Sequence, residues 1–181
     1  MNIYNINNKV VLALAITTLF SFCGTNEQHQ QDNTPYLDIP TYFRKEVNRL
    51  KKENPTVIKT VKKDKQEETK EVQIANWENE LSNYLSIDLN KPAYSGLFTK
   101  DSTDNQVTFN AKDSNLDISF IEINYVLNKP VEFKIKRKVK NSLYQTEETL
   151  HYHKNKGYSL EKHQSVIALD DNHYYIEGRF K

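Results

Sequence analysis

The chain has 181 residues, of which 25 are Lys or Arg and 24 are Asp or Glu, so its formal net charge is only +1 at pH 7. This balance argues against a general nucleic-acid-binding protein, which needs a strongly basic surface. With four Gly, five Pro and no repeat of fixed period, the sequence excludes solenoid and low-complexity classes and is long enough for one self-sufficient core.

The first apolar stretch covers residues 10–22, which carry no charge and follow Lys9. A helix of this length reaches only about 20 Å, which is short of the ~30 Å hydrocarbon core of a bilayer. We therefore interpret residues 1–22 as a signal peptide rather than as a membrane-spanning helix.

The end of this stretch resembles a bacterial lipoprotein signal, on the residues Leu19, Ser21, Cys23 and Gly24. The sequence departs from that pattern at Phe22, where the family has Gly or Ala, and Leu19 lies one position early. The resemblance implies that the Cys23 thiol is diacylated, with fatty acids such as palmitate, and that the chain is cut just before it. An ordinary cleaved signal and an uncleaved anchor are the alternatives. Cys23 is the only cysteine, so no internal disulfide is possible.

Residues 23–40 form the predicted tether, and residues 41–181 form the predicted single domain. A helix is predicted over residues 41–53, because Phe43, Val47 and Leu50 recur at helical spacing. Asn54 precedes a proline and ends this helix. The opposite face is basic, through Arg44, Lys45, Arg49, Lys51 and Lys52. We interpret that face as solvated, with a contact surface as the alternative.

A charged hairpin follows over residues 56–62 and 70–74, with its turn near Asp64 and Lys65. Its few apolar residues predict a position at the edge of a sheet. A second helix is predicted over residues 76–89. Its apolar stripe, which we expect to pack on the sheet, consists of Trp77, Leu81, Tyr84 and Leu85.

Alternation of apolar and polar residues dominates the rest of the chain. Strands are predicted over residues 107–111, 118–127, 131–140, 143–153, 158–169 and 173–180. A shift of phase at Phe120 and Ile121 predicts a β-bulge. Turns are predicted at residues 141–142, 155–157 and 170–172. Helices followed by strands favour an α+β fold, with one or two helices on a curved antiparallel sheet that ends in a C-terminal meander.

A further resemblance rests on three stretches of sequence, NPTVIKTVKKD, WENEL and DLNKPA. They resemble a group of small exported bacterial lipoproteins to which no function is assigned. The resemblance extends from about Thr41 to the end of the chain. These stretches consist of turn and core residues, so the resemblance implies membership of the group and no particular activity.

The strand at residues 131–140 has the clearest alternation in the chain. One face carries Val131, Phe133, Ile135, Arg137 and Val139, and the other carries Glu132, Lys134, Lys136, Lys138 and Lys140. This lysine face is a candidate site for anionic sugars, lipid headgroups or an acidic partner. The favoured interpretation is a solvated face that also protects a sheet edge.

We predict that a two-residue loop at Asn141 and Ser142 sets the pairing of this strand with the next. Phe133 then faces Leu150, Lys136 faces Glu147, and Glu132 faces His151. In that register Glu147 neutralises part of the lysine face, which weakens it as an anion site.

Candidate metal ligands are His151 and His153, which project from one face of a strand, with Glu132 as a third ligand from the neighbouring strand. Two incidental histidines on an exposed strand are the favoured interpretation. The sequence has no Gly-x-Ser-x-Gly elbow, His-Glu-x-x-His motif, glycine-rich phosphate loop or EF-hand. We therefore expect neither an enzyme nor a cofactor.

Together these features predict a non-enzymatic domain, exported and attached to the cell envelope through acylated Cys23, with the outer membrane as the favoured location. Its partner would be an envelope protein, a glycan or a lipid, and not a nucleic acid. The alternative is a carrier or chaperone for an apolar ligand held between helix and sheet, which requires an apolar cleft there.

Overall fold

The structure of the protein is a computed structural model, which describes residues 36–167 and 171–181. The predicted signal peptide, Cys23 and most of the predicted tether lie outside the described residues. The predicted turn at residues 170–172 is described only from Asp171 onward.

The described residues contain one helix of four turns, two helices of one turn each and nine strands, joined by turns and loops. In chain order they are α1 (Ile39–Glu53), β1 (Thr56–Lys63), β2 (Gln66–Gln73), α2 (Trp77–Glu80), α3 (Ser82–Leu85), β3 (Phe98–Ser102), β4 (Gln106–Ala111), β5 (Ile118–Val126), β6 (Lys129–Lys140), β7 (Tyr144–His153), β8 (Gly157–Val166) and β9 (Asn172–Phe180). A 3-10 turn, Pro92–Tyr94, precedes β3. These elements confirm an α+β fold dominated by antiparallel strands.

All nine strands join in one antiparallel sheet with the order β2-β1-β9-β8-β7-β6-β5-β4-β3. Strands β3 to β9 follow one another as a meander, and the β1–β2 hairpin extends the sheet beside β9. The predicted position of this hairpin is confirmed, since β2 is an edge strand. The other edge strand, β3, was not predicted, because four of its five residues are exposed and give no clear alternation.

The sheet has two chemically different faces, because successive side chains of a strand point in opposite directions. We call the face that carries Phe133, Ile135, Leu150 and Tyr152, all fully buried, the inner face. The opposite face, which carries Lys134 and the residues in phase with it, is the outer face.

Helix α1 begins at Ile39, two residues before the predicted start, so the last two residues of the predicted tether are helical. The Asp38 carboxylate caps it by accepting a hydrogen bond from the Thr41 amide at 2.8 Å. That hydrogen bond lowers the pKa of Asp38 below its usual value. Asn54 ends the helix in the left-handed conformation, and its N–H donates to the Leu50 carbonyl.

The second predicted helix is shorter than expected, because it breaks at Leu81 and ends at Leu85. The hydroxyls of Ser82 and Ser86 each donate to the carbonyl three residues earlier, a local bond that competes with helical hydrogen bonding. An Asx turn at Asp88, which accepts the Asn90 N–H at 2.9 Å, replaces the predicted final turn.

Aromatic rings fill the space between α1 and the inner face. The Phe43 ring, fully buried, lies 5.1 Å from Phe133, 5.0 Å from Tyr152 and 4.8 Å from Tyr84, measured between ring centroids. Trp77 and Leu81 are buried as predicted, whereas Leu85 is only partly buried. Such dense packing is typical of a protein interior.

Glu80 attaches α2 to the sheet. Its carboxylate accepts a hydrogen bond from the Tyr158 hydroxyl at 2.6 Å and lies 2.7 Å from the Lys59 ammonium. The Tyr158 ring crosses β9 at Gly178, where a Cβ atom would lie only 2.3 Å from the ring. A side chain at residue 178 would therefore displace the tyrosine that reaches the helix.

The predicted bulge in β5 is present, although one residue earlier than expected, as a shift of register between Ile118 and Phe120. A second shift lies between Asn124 and Tyr125. The first irregularity lets Ile118 and Ile121 both face the core, as their burial requires.

The predicted register of β6 with β7 is wrong by two residues. Phe133 pairs with Tyr152 rather than with Leu150, and Lys138 rather than Lys136 pairs with Glu147. The reason is that Asn141 belongs to the ladder, since its N–H donates to the Tyr144 carbonyl at 3.0 Å.

The loop of this hairpin therefore lies one residue further along the chain than predicted. The Asn141 side chain shapes it by accepting hydrogen bonds from the amides of Leu143 and Tyr144. Because the error is an even number of residues, every side chain stays on its predicted face.

Within the residues that the structure describes, no helix combines the length and the apolar character needed to cross a membrane.

Candidate functional site

The outer face is the main candidate surface, because the helices contact the sheet on its inner face. Phe43 of α1 and Glu80 of α2 both contact inner-face side chains, those of Tyr152 and Tyr158. The outer face of the central strands carries mainly charged and polar residues. On β6, β7, β8 and β9 they include Lys134, Lys136, Lys138, Lys140, Glu147, His151, His153, Glu161, His163 and His173.

The four lysines of β6 lie on the outer face, as predicted. Lys138 forms a salt bridge with Glu147 at 3.3 Å. The Lys136 ammonium lies 5.9 Å from the centre of the Phe120 ring. Lys134, Lys136 and Lys140 are exposed and form no salt bridge within residues 36–167 and 171–181. The register found in the structure thus leaves three of the four lysines without a carboxylate partner.

The position of β6 in the sheet removes one interpretation of its lysines. β6 pairs with β5 on one side and with β7 on the other, so its lysines cannot protect a sheet edge. Residues two apart on a strand face lie about 7 Å apart, which is within the Debye length of about 8 Å at physiological salt. Lys134 and Lys136 therefore act in one local electrostatic field, to which Glu122, the cross-strand partner of Lys134, and Glu132 add negative charge.

Two of the five basic residues on the predicted basic face of α1, Arg49 and Lys51, form salt bridges rather than facing solvent alone. The Arg49 guanidinium contacts the Glu46 carboxylate at 2.8 Å and donates to the Lys154 carbonyl at 3.0 Å. The carboxylate of Glu46 is itself buried and accepts a hydrogen bond from the Tyr152 hydroxyl at 2.6 Å. Arg49 therefore serves to satisfy a buried carboxylate that packs α1 on the sheet.

Lys51, another member of this face, forms a salt bridge with Glu78 of α2 at 2.9 Å. Arg44, Lys45 and Lys52 form no salt bridge with another described residue. Three cations of the predicted basic face thus remain without a carboxylate, and they lie on a different side of the domain from the outer face.

His151 belongs to a row of polar contacts that crosses four strands. The Gln106 side chain donates to Asn124 at 3.0 Å, and Asn124 donates to one Glu132 oxygen at 3.0 Å. The other Glu132 oxygen lies 2.8 Å from His151 Nε2. Burial alone would raise the pKa of Glu132, but the hydrogen bonds from Asn124 and His151 outweigh it and lower that pKa.

The predicted metal candidates His151 and His153 do not come together with Glu132 as three ligands. His153 pairs with Glu132 along the backbone, yet its Nδ1 accepts a hydrogen bond from the Asn155 amide at 3.2 Å. A single group of three possible ligand atoms within 4.8 Å of one another occurs among the described residues, and it lies on other strands.

That group consists of Glu161, His163 and His173. Glu161 and His163 are two residues apart on β8, so their side chains leave the same face, and His173 of β9 lies directly opposite His163. The two imidazole rings stack with centroids 4.2 Å apart and planes 15° apart. One Glu161 oxygen lies 3.3 Å from His163 Nε2 and 3.1 Å from His173 Nε2.

This group was not predicted from the sequence, because it depends on strand pairing. Glu161-x-His163 is visible as two ligand types on one strand face, but His173 joins them only in the register of β8 with β9. Only a register in which paired residues of the two strands sum to 336 places the two histidines opposite each other, whereas the predicted turn at residues 170–172 gives a sum of 342. The turn itself includes residues outside those that the structure describes.

Comparison of the chain with known protein families, with curated proteins and with solved structures found no match. A proposal of function must therefore rest on the residues of the outer face.

Proposed function

We propose that the protein is a lipid-anchored, non-enzymatic binding domain of the bacterial cell envelope, which belongs to the group of small exported lipoproteins that its sequence resembles. The anchor would be acylated Cys23, and the outer membrane the favoured location. The binding surface would be the outer face around β6, and its ligand an anionic group of the envelope.

The observation that supports this proposal most is that Lys134, Lys136 and Lys140 form no salt bridge with a carboxylate among the described residues. An exposed lysine normally has little effect on stability, so three unpaired ones on one strand contribute little to folding. Concentrated positive charge does attract phosphate or carboxylate groups. Such groups are carried by lipid headgroups and acidic glycans, which an envelope protein would meet.

The alternative function, a carrier for an apolar ligand, receives less support. The rings of Phe43, Phe133 and Tyr152 occupy the space where its ligand would lie. A pocket of about 420 Å³ near the start of α1 is lined mostly by polar or charged residues, among them Asp38, Arg44 and Asp88. Apolar ligands favour sites lined by hydrophobic side chains.

We also propose that the sheet curves around α1, as the sequence predicted. The two irregularities in β5 support this shape, because a β-bulge bends its strand and increases the local twist. Curvature would leave the outer face convex and thus accessible to a flat partner such as a membrane surface.

Replacement of the three unpaired lysines tests the binding proposal. A chain of residues 36–181 contains all the helices and strands that the structure describes and lacks the proposed anchor. We expect it to sediment with vesicles that contain anionic lipid, or to bind an acidic polysaccharide, and to do so less at high salt. Combined Lys134→Ala, Lys136→Ala and Lys140→Ala substitutions should abolish that binding.

The matched control replaces three exposed lysines elsewhere, Lys52, Lys65 and Lys100, none of which has a salt bridge in the described residues. It lowers the net charge by the same amount and should retain the binding. Equal loss in both triple variants would mean that only net charge matters. Undiminished binding by the β6 variant would refute a site on the outer face.

The anchor is tested separately, on the full chain expressed in a bacterium. The intact mass of the membrane-bound protein should show a diacylglyceryl addition and loss of residues 1–22. Cys23→Ser should remove both the addition and the retention in the membrane. A Cys23→Ser protein that stays in the membrane fraction at its unmodified mass would contradict acylation at this residue.

A further inference from the structure

We propose that Glu161, His163 and His173 form a binding site for a divalent transition metal of the zinc type on the outer face. This site is independent of the anion-binding surface on β6 and of the anchor at Cys23. It lies on β8 and β9, near the end of the sheet where the β1–β2 hairpin turns.

The donor set is one that zinc uses in proteins. Imidazole nitrogen and carboxylate oxygen both bind Zn²⁺, and a set of two histidines and one glutamate leaves a fourth position for water or another ligand. Copper and nickel also accept imidazole ligands, so the site would select among them by geometry and supply. Mg²⁺ and Ca²⁺ prefer sets made of oxygen alone and are excluded by the two imidazoles.

The spacing of the ligand atoms fits this chemistry. Metal–ligand bonds of about 2.0–2.1 Å in a tetrahedral complex place neighbouring ligand atoms about 3.3 Å apart. The Glu161 oxygen lies 3.3 Å from His163 Nε2 and 3.1 Å from His173 Nε2. All three atoms lie within 4.8 Å of one another. The stacked imidazoles would have to rotate about their side-chain torsions so that both Nε2 lone pairs point at one metal ion. The spacing of the ligand atoms allows this without movement of the strands.

The backbone holds the ligands in place. His163 and His173 are paired residues of one antiparallel ladder, and Glu161 is fixed two positions along the same strand. The His173 amide also donates to the Asp64 carboxylate at 2.9 Å, which ties β9 to the β1–β2 turn. Three ligands on a rigid sheet lose less conformational freedom on binding than ligands on separate loops.

The surroundings leave room for the remaining coordination positions. A surface pocket of about 210 Å³ is lined by His163 and His173 and by further oxygen-bearing side chains, which include Glu147 and Asp171. Water entering this pocket could supply the fourth ligand. The histidine side chains are 61% and 40% exposed, so a metal ion can enter from solvent.

The ligand atoms are also compatible with a metal-free arrangement, in which both imidazoles hydrogen-bond to the Glu161 oxygen. Metal titration distinguishes the two. We expect the full chain, purified in detergent, to bind one Zn²⁺ per molecule, measured by competition with a chromophoric chelator. Co²⁺ should give the visible absorption of a tetrahedral complex, with an imidazole-containing donor set.

Substitutions then locate the site. The combined change His163→Ala and His173→Ala should abolish the stoichiometric binding, and Glu161→Gln should weaken it by roughly 10–100-fold or more, since even loss of a supporting residue typically costs that much. The matched control, His151→Ala with His153→Ala, removes the same number of imidazoles from the same face and should bind as the parent does. Circular dichroism before and after each substitution checks the fold.

Three results would overturn the proposal. They are the absence of Zn²⁺ binding by the folded parent chain, undiminished binding by the His163→Ala, His173→Ala chain, and loss of binding only in the control. Glu161→Gln keeps the size of the side chain, so it tests the site even where the double variant fails to fold. Loss of anion binding by the β6 lysine variant leaves this site unaffected.

Discussion

Leu81 illustrates how one residue holds the helices on the sheet. It is fully buried between the two short helices, and its carbonyl accepts hydrogen bonds from the amides of Tyr84 and Leu85. We expect Leu81→Ala to lower the free energy of unfolding by about 2–5 kcal/mol, the usual cost of such a cavity. Urea denaturation of residues 36–181 measures this cost.

Leu85→Ala is the matched control for that experiment, since Leu85 has the same side chain and is only partly buried. It should cost clearly less than Leu81→Ala. A loss below about 1 kcal/mol for Leu81→Ala would mean that its side chain lacks the neighbours that make large-to-small substitutions costly.

The prediction of core residues holds fully for Leu81 and only in part for Leu85, which is partly buried against the core, and one physical reason explains the difference. Helical periodicity places both on one stripe, but the helix breaks at Leu81. Serine hydroxyls that bond to nearby carbonyls are a local effect that a periodic pattern does not register. Buried Ile87 and Leu89, which the prediction placed inside the helix, reach the core from an irregular segment instead.

At the scale of the elements, the alternation of apolar and polar residues predicted the strands that carry clear patterns. It did not predict their exact register, which depends on where each loop lies. The turn of the β6–β7 hairpin lies one residue later than predicted because Asn141 stays in the ladder. A loop shift of one residue moves the register by two, which exchanges Lys136 for Lys138 as the partner of Glu147. The candidate anion site thus depends on an asparagine outside it.

The pairing of strands that are far apart in the sequence could not be predicted from the sequence alone. The β1–β2 hairpin lies beside β9, more than a hundred residues later in the chain. Local patterns carry no information on such contacts, and the closure of large loops is governed by the whole fold. For the same reason the group of Glu161, His163 and His173 becomes visible only once the register of β8 with β9 is known.

At the scale of the whole molecule, the core between the helices and the sheet contains several buried or partly buried tyrosines, and these make stability depend on alkaline pH. Burial, together with a hydrogen bond to Asp117, raises the pKa of Tyr94 to about 12. Burial is also the main cause of a raised pKa at Tyr42, Tyr84, Tyr152 and Tyr158. These groups stay protonated in the folded state above the pH at which they ionise in the unfolded chain.

The sign of the effect follows from this difference. Below about pH 10 the tyrosines are protonated in both states, and their contribution to stability is fully present. As the pH rises through the raised pKa values, the unfolded chain loses protons that the folded chain keeps, so the free energy of unfolding falls. Urea denaturation between about pH 8 and about pH 11 should show this fall.

Tyrosinate absorbance provides the control for that measurement. Part of the absorbance should develop only as the domain unfolds. If every tyrosine ionises near pH 10 while circular dichroism reports an intact fold, the aromatic core is more accessible than its burial indicates.

The inner face of the sheet is packed and the outer face is charged, and we propose that the outer face around β6 binds anionic groups. Amide chemical shifts of residues 36–181, recorded by NMR as bicelles with anionic lipid or an acidic polysaccharide are added, test it most directly. We predict that the perturbed amides cluster on β6 and its neighbours β5 and β7, and that added salt reverses the shifts. Perturbations that centre on Arg44, Lys45 and Lys52 of α1, with β6 unchanged, would contradict the claim.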